Sequence, residues 1–199
     1  MWLHKIQTHV AMLLLAVSLT ACEEPKLPSP FHASEVAGKF AQADFKLTDH
    51  HGTPRTLADF RGKVVLLFFG YVHCPDVCPT TLADMAQAMQ LLGDDAKRVQ
   101  VLFVTVDPER DTTELLANFI PAFNPDFLGL SGDAQATADV TRAFAVSYQK
   151  QPSKTGYNVD HSAGTYLIDP QGGVRLLAPY GQSAQWLAQD IKLLLALSR

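Results

Sequence analysis

Residues 63–79 read KVVLLFFGYVHCPDVCP, and the predicted fold rests mainly on this segment. Residues 63–70 form an apolar run of the kind found in a strand that is buried on both faces of a sheet. Two cysteines, Cys74 and Cys78, follow this run with three residues between them. The segment therefore predicts a buried strand that leads into a helix, with a pair of thiols at the junction.

The sequence on either side predicts alternating strands and helices. Residues 80–92 carry apolar side chains at helical spacing, and residues 99–106 repeat the pattern of a buried strand. Further helices are predicted to begin near residue 111, to cover residues 135–144 and to follow Ser183, and hairpins are predicted at 43–57 and 165–177. This order predicts an α/β fold with a mixed central sheet flanked by helices and an N-terminal hairpin. A cysteine pair at the first strand-to-helix junction favours a thioredoxin-like arrangement.

Length and composition fit one globular domain. The chain has 199 residues, of which 47% are apolar and 18% are charged, so it can bury a sizeable core. The formal net charge is −4, which argues against a basic face for nucleic acid, and we expect no nucleic-acid partner. We assign the predicted domain to residues 40–199.

The N-terminal residues predict export and attachment to a membrane. Residues 10–19 are apolar, too short to span a bilayer but suited to the core of a signal peptide. Residues 19–22, LTAC, resemble the lipobox of bacterial lipoproteins, in which cleavage precedes a cysteine whose sulfur carries lipid. We expect a lipoprotein signal peptide at 1–21, lipidation of Cys22 and a membrane-tethering linker at 22–39. A plain secretory signal with an unmodified cysteine is the alternative.

This interpretation places the domain in the bacterial cell envelope, anchored to a membrane and facing the periplasm or the exterior. Lipidation of Cys22 would leave Cys74 and Cys78 as the only free cysteine pair. In an oxidising compartment such a pair tends to form a disulfide unless the thiols are used. A helix that starts near Cys78 would favour the thiolate form through its positive dipole end. The pair is therefore a candidate disulfide, redox centre or metal site.

The available donors indicate which metal would fit. Thiolates select Cu(I), zinc or iron–sulfur clusters, but a cluster normally needs four cysteines and structural zinc four protein ligands. Cu(I) needs fewer donors, and one imidazole would complete a three-coordinate site. His161, just before a predicted strand, is the candidate; His73 adjoins Cys74 but should point to the other side. His50 and His51 are predicted to be solvated in a turn. On spacing alone, a disulfide or redox pair with an unrelated histidine stays open.

Three segments in order carry a resemblance to a known family. Residues 70–79 read GYVHCPDVCP, residues 107–111 read DPERD and residues 160–162 read DHS. Together they resemble the Sco/SenC family of copper-binding assembly factors for cytochrome c oxidase. The resemblance runs through the whole predicted domain and implies a membrane-anchored, thioredoxin-like protein outside the cytoplasm.

The resemblance also implies a ligand set and a partner. Copper, as Cu(I) and in some states Cu(II), would be held by Cys74, Cys78 and His161. The acceptor would be cytochrome c oxidase subunit II or a related protein, whose copper A centre is assembled by copper delivery, by reduction of its cysteines, or by both. The second hypothesis is that the protein is an enzyme, a thiol–disulfide oxidoreductase in which Cys74 and Cys78 are the redox-active pair. Such reductases usually carry a proline just before the strand that faces the cysteines. Residues 162–167 lack this proline, which weakens the second hypothesis.

Two acidic residues are candidates for a supporting role. Asp76 lies between the cysteines, where it could tune their charge or only cap the helix. Asp107 follows a buried strand, where a role beside the metal competes with an ordinary turn. Met85 and Met89 lie on the apolar stripe of their helix, so we expect them to pack in the core.

Overall fold

The computed structural model describes residues 28–154 and 156–198. The predicted signal peptide and Cys22 lie outside the described residues. Within the described part of the chain, no helix is both long and apolar enough to cross a membrane.

The described residues form an α/β domain with a large mixed sheet. The strands are β1 (Ser34–Glu35), β2 (Leu47–Asp49), β3 (Pro54–Arg55), β4 (Val64–Gly70), β5 (Val99–Thr105), β6 (Leu128–Ser131), β7 (Tyr148–Ser153), β8 (Gly156–His161), β9 (Thr165–Ile168) and β10 (Val174–Ala178). The helices are α1 (Val77–Leu92), α2 (Thr113–Phe119), α3 (Ala134–Ala143) and α4 (Ala184–Leu197). Eight strands pair in the order β1-β10-β9-β4-β5-β6-β2-β3, and β7 and β8 form a separate two-stranded sheet.

Strand β4 lies at the centre of the large sheet because both of its faces are apolar. It runs parallel to β5 and antiparallel to β9, and all seven of its residues are buried. Phe68 packs against Phe103 of β5, which contacts Phe119 of α2. On the opposite face, Phe69 contacts Phe144 at the end of α3. Helices therefore cover both faces, which confirms the predicted mixed sheet flanked by helices.

The predicted N-terminal hairpin is present at one edge of the large sheet. Strands β2 and β3 pair with each other, and β2 also pairs with β6. The prediction that His50 is solvated in the intervening turn is wrong, because His50 is only 5% exposed. Its Nδ1 accepts a hydrogen bond of 2.9 Å from the Gly129 amide, which draws the ring into the sheet edge. His51 is exposed, as predicted.

The predicted boundary between linker and domain at residue 40 does not match the packing. Residues 34–35 form β1 on the edge of the large sheet, and Ala33 and Val36 are buried. The carboxylate of Asp190 in α4 accepts hydrogen bonds from the amides of His32 and Ala33 at 2.8 and 2.9 Å. The last part of the predicted linker thus belongs to the domain, because its backbone donors find a buried acceptor there.

Replacement of Asp190 by alanine should release this N-terminal segment and destabilise the domain. The change leaves the His32 and Ala33 amides and the Gln182 side-chain amide without their acceptor. We expect a loss of roughly 2–4 kcal/mol in the free energy of unfolding, because unsatisfied buried donors each cost about 1–3 kcal/mol. Urea denaturation measures it. Asp139→Ala, at an exposed carboxylate of α3, is the control and should stay close to wild type.

Candidate metal centre

The cysteine pair lies at the carboxyl end of β4, where open sheets usually bind ligands. Cys78 is the second residue of α1 and is fully buried, whereas Cys74 precedes the helix and is partly exposed. The Cys78 amide at the start of α1 donates a hydrogen bond of 3.4 Å to Cys74 Sγ. The predicted helix start beside Cys78 is therefore confirmed, and one thiol is accessible while the other is enclosed.

Gly70 makes room for the buried sulfur. A Cβ atom at this last residue of β4 would lie 2.7 Å from Cys78 Sγ and 2.8 Å from the ring of Phe103. Real Cβ atoms do not approach other atoms so closely, so a larger residue would displace the helix or the ring. Glycine at this position is what allows α1 to bring its cysteine against the strand.

The third donor comes from the small two-stranded sheet. His161 is the last residue of β8, a strand that was not predicted from the sequence, and its Nε2 lies 3.4 Å from Cys78 Sγ. The three donor atoms of Cys74, Cys78 and His161 all lie within 4.8 Å of one another. The proximity of the three residues, inferred from the sequence, is therefore confirmed by the structure.

A backbone contact orients the histidine toward the cysteines. His161 Nδ1 lies 3.0 Å from the carbonyl oxygen of Ser162. A carbonyl can only accept, so Nδ1 carries the proton and the lone pair of Nε2 faces Cys78. The ring is also held edge-on by Tyr71 and Phe68, with centroids 5.9 and 6.2 Å away. Phe69, on the opposite face of β4, instead contacts Phe144 at the end of α3.

The site opens into a cleft of about 440 Å³. Residues 74–77 line one side, residues 158–161 of β8 line the other, and Tyr71 and Ala163 also border the cleft. A partner protein or small thiol can therefore reach Cys74 and His161 from one direction, while Cys78 stays beneath them.

The two thiols differ in their protonation. The hydrogen bond from the Cys78 side chain is the largest influence on Cys74 and, despite burial, lowers the pKa of Cys74 to about 5. The backbone amides of Asp76 and Cys78 act in the same direction. The same contact with Cys74, followed by burial, raises the pKa of Cys78. In the metal-free reduced protein, Cys74 is the thiolate and Cys78 the thiol.

Other sequence candidates lie outside the group of donors. The carboxylate of Asp76 is exposed and contacts Thr80, so only its backbone amide acts on Cys74. The His73 ring lies 3.8 Å from the Asp111 carboxylate instead of joining the cysteines. Met85 and Met89 are buried along α1, as predicted.

Asp107 does not touch the cysteines, but it contacts the hairpin that carries His161. Its buried carboxylate accepts hydrogen bonds from the Arg110 side chain and from the Tyr157 hydroxyl of β8. Neither Tyr157 nor the β7–β8 hairpin was predicted from the sequence. The signal available was the alternation of Tyr157, Val159 and His161, whose side chains share one face of β8.

Asp111 lies just before the cap of α2 and supports the cysteine side of the site. Thr112, not Asp111, caps α2, because the Thr112 hydroxyl accepts the Leu115 amide. Asp111 is fully buried and accepts hydrogen bonds from the Thr105 hydroxyl and the Val72 amide. It therefore ties the segment before Cys74 to the end of β5.

The donor set fits a soft metal ion. Two sulfurs and one imidazole suit Cu(I). Within residues 28–154 and 156–198 this group has three protein ligands, whereas a structural zinc site usually has four. The same two sulfurs, one ionised and accessible and one buried, also suit exchange with a disulfide.

Comparisons with known proteins agree on one family. The sequence profile described as SCO1/SenC matches residues 34–196. The chain is 41% identical over 155 residues to the mitochondrial protein SCO2 homolog of Bos taurus, covering 76% of this chain and 58% of the relative. It is 36% identical over 166 residues to an SCO2-like protein of Rickettsia conorii, covering 82% and 80%. The chain thus matches less than two thirds of the length of the bovine protein.

A solved structure supports the same assignment. ScoI of Bradyrhizobium japonicum, solved with copper bound, superimposes with a TM-score of 0.71 at 39% identity, covering 76% of this chain and 98% of that one. This similarity confirms the thioredoxin-like fold that the sequence predicted.

The difference between the two thiols predicts a selective and pH-dependent reaction. In the reduced, metal-free protein, iodoacetamide should label Cys74 and leave Cys78 unmodified. The rate should be nearly constant above pH 6 and fall through pH 5, because the reactive thiolate is lost only below its pKa of about 5. Peptide mapping by mass spectrometry across pH 4–9 measures this. A rate that rises through pH 8–9, as for an ordinary thiol, would contradict the assigned protonation.

Proposed function

The chain belongs to the SCO1/SenC family, and we propose that it is a copper-binding assembly protein for the copper A centre of cytochrome c oxidase subunit II. The observation that carries the proposal is the convergence of Cys74, Cys78 and His161, whose donor atoms lie within 4.8 Å of one another at an open cleft. Copper is the cargo of this site.

Each of the three residues has a distinct part in holding Cu(I). Cys78 is the buried donor, fixed by α1 against Gly70. Cys74 is already ionised, so Cu(I) can bind to this sulfur without first having to remove a proton from it. His161 presents the lone pair of Nε2, since its other nitrogen donates to the Ser162 carbonyl.

Transfer to an acceptor is supported by the uneven exposure of the donors. Cys74 and His161 border the cleft, so acceptor ligands can replace them one at a time while Cys78 remains bound. The acceptor we propose carries soft donors of its own, as the copper A site of subunit II does. Exchange then proceeds through shared ligands and avoids release of free copper.

Membrane attachment completes the proposal. The apolar residues 10–19 and the LTAC sequence at 19–22 support lipidation of Cys22 after removal of 1–21, in the bacterial cell envelope. The domain begins at about residue 32, where α4 and β10 hold the chain. Residues 22–31 would then serve as the tether.

Copper binding is tested by titration of the reduced protein with Cu(I) in competition with a chromophoric chelator. We expect one Cu(I) per chain in the wild type. His161→Ala should weaken binding by on the order of 100-fold, equivalent to about 2.8 kcal/mol, because one of three donors is lost. His51→Ala, at an exposed histidine away from the site, should bind like wild type. Undiminished affinity after replacement of both Cys74 and Cys78 by alanine would refute the proposal.

A second function, thiol–disulfide reduction, is supported by the low pKa of the accessible Cys74. Its thiolate would attack a target disulfide and form a mixed disulfide, while one target sulfur leaves as a thiolate. Cys78 would then lose its proton and attack Cys74 Sγ, which releases the second target thiolate. Two electrons pass to the target, and the protein ends as the Cys74–Cys78 disulfide. The same protein could thus reduce the acceptor's cysteines before copper is delivered.

Trapping of the mixed disulfide tests this second function. Cys78→Ser should accumulate a covalent adduct at Cys74 with an oxidised subunit II domain, because the resolving sulfur is missing. Mass spectrometry of the non-reduced mixture identifies the adduct, and Cys74→Ser should give none. His161→Ala should retain dithiol reactivity, which separates reduction from copper binding. Failure of the wild type to reduce the domain would exclude this activity.

A further inference from the structure

The hairpin that carries His161 has little support of its own. Strands β7 and β8 pair with each other and not with the large sheet. Most of their side chains are exposed. Among the described residues of the two strands, only Val159 is buried. An isolated two-stranded hairpin is marginally stable in water, so contacts with the rest of the domain must set its position.

One group of such contacts comes from the turn at residues 107–111, which follows β5. The Arg110 guanidinium donates a hydrogen bond of 2.8 Å to the Tyr157 carbonyl and stacks on the Tyr157 ring, 3.7 Å from its centroid. Arg110 also pairs with the Asp107 carboxylate, which in turn accepts a hydrogen bond of 2.8 Å from the Tyr157 hydroxyl. The three side chains form a closed ring of charge-assisted and cation–π contacts.

This ring acts on the same strand face as the metal donor. Tyr157, Val159 and His161 alternate along β8, so their side chains all point toward the domain body. A shift of the strand at Tyr157 would therefore move His161 with it.

The other end of the turn holds the cysteine side of the site. Asp111 accepts the Val72 amide at 3.0 Å and the Thr105 hydroxyl at 2.6 Å. Val72 lies two residues before Cys74 on the segment that leaves β4. One five-residue turn thus contacts both segments that supply donors, through Asp111 on one side and Arg110 on the other.

We propose that the 107–111 turn is a brace that sets the distance between His161 and the two cysteines, and that Arg110 is a positioning residue for His161. The inference deepens the proposed copper-binding function and rests on it. Without the brace, the hairpin would sample several positions, and copper would have to order it on binding. The free energy spent on ordering the hairpin lowers the affinity for Cu(I), and this loss occurs only when His161 is a ligand.

Two variants loosen the brace without leaving a buried charge unpaired. Arg110→Lys keeps a cation beside Asp107 but loses the planar stack and the bond to the Tyr157 carbonyl. Tyr157→Phe keeps the ring and removes only the hydroxyl bond to Asp107. Arg142→Lys is the matched control, because Arg142 also pairs with an aspartate three residues earlier, in an exposed pair on α3.

The first measurement is hydrogen exchange in the reduced, metal-free protein. Amides of β7 and β8 should exchange roughly tenfold faster in Arg110→Lys, with a smaller effect in Tyr157→Phe, while those of β4 and α1 stay unchanged. Arg142→Lys should match the wild type. Unchanged protection of the hairpin in Arg110→Lys would overturn the brace, whether or not the protein binds copper.

The second measurement is Cu(I) competition in two backgrounds. Arg110→Lys should weaken Cu(I) binding about tenfold, as for groups that orient a metal ligand. In a His161→Ala background the same change should have no further effect, because the positioned donor is gone. An equal loss in both backgrounds would show a general structural role and refute the positioning of His161. If the wild type itself retains no Cu(I), the proposed function fails, while the exchange result still decides whether the brace exists.

Discussion

The close approach of Cys78 to the end of β4 is the constraint on which the rest of the site depends. It requires glycine at residue 70, since any Cβ there would collide with the sulfur and with Phe103. Once α1 is seated in this way, Cys78 is removed from water and Cys74 is left at the rim of the cleft. The unequal burial of the two thiols follows from this one contact between a strand and a helix. The ionisation of Cys74 follows mainly from the hydrogen bond that the Cys78 side chain offers to it, despite burial.

The three donors come from two parts of the domain. The cysteines lie where the central sheet meets its following helix, and His161 belongs to a hairpin that is held in place by contacts with the rest of the domain. Cys78 lies on α1, and Cys74 lies on the short segment between β4 and α1, two elements with large apolar contacts. His161 lies on a two-stranded sheet with little core of its own. Such a division suits a protein that must hold copper and also give it up, because one donor can be displaced without disturbing the fold.

Two buried carboxylates connect these parts. Buried charges are costly unless they are paired or hydrogen-bonded. Asp107 meets this condition through Arg110 and Tyr157. Asp111 meets it at one oxygen, through Val72 and Thr105. Its other oxygen has no hydrogen-bond partner among the described residues and lies 3.8 Å from the His73 ring. Burial is the main reason that the pKa of Asp111 is raised. The DPERD segment, which resembled a family motif in the sequence, is in the structure the turn that contacts both sources of donors.

The central strand, the helix after it and the thiol pair at their junction could be predicted from the sequence, as could the alternation of strands and helices. Periodicity and helix caps depend only on residues that are close together in the chain. The sequence also indicated His161, first through its position before a predicted strand and then through a resemblance spread over three distant segments. The burial of His50, the docking of residues 32–36 on Asp190, the β7–β8 hairpin and the ring of Asp107, Arg110 and Tyr157 required the tertiary structure. Each depends on contacts between residues far apart in the chain, such as Arg110 and Tyr157, which are 47 positions apart. Local pattern carries no information about which of many possible long-range partners a buried polar group will find.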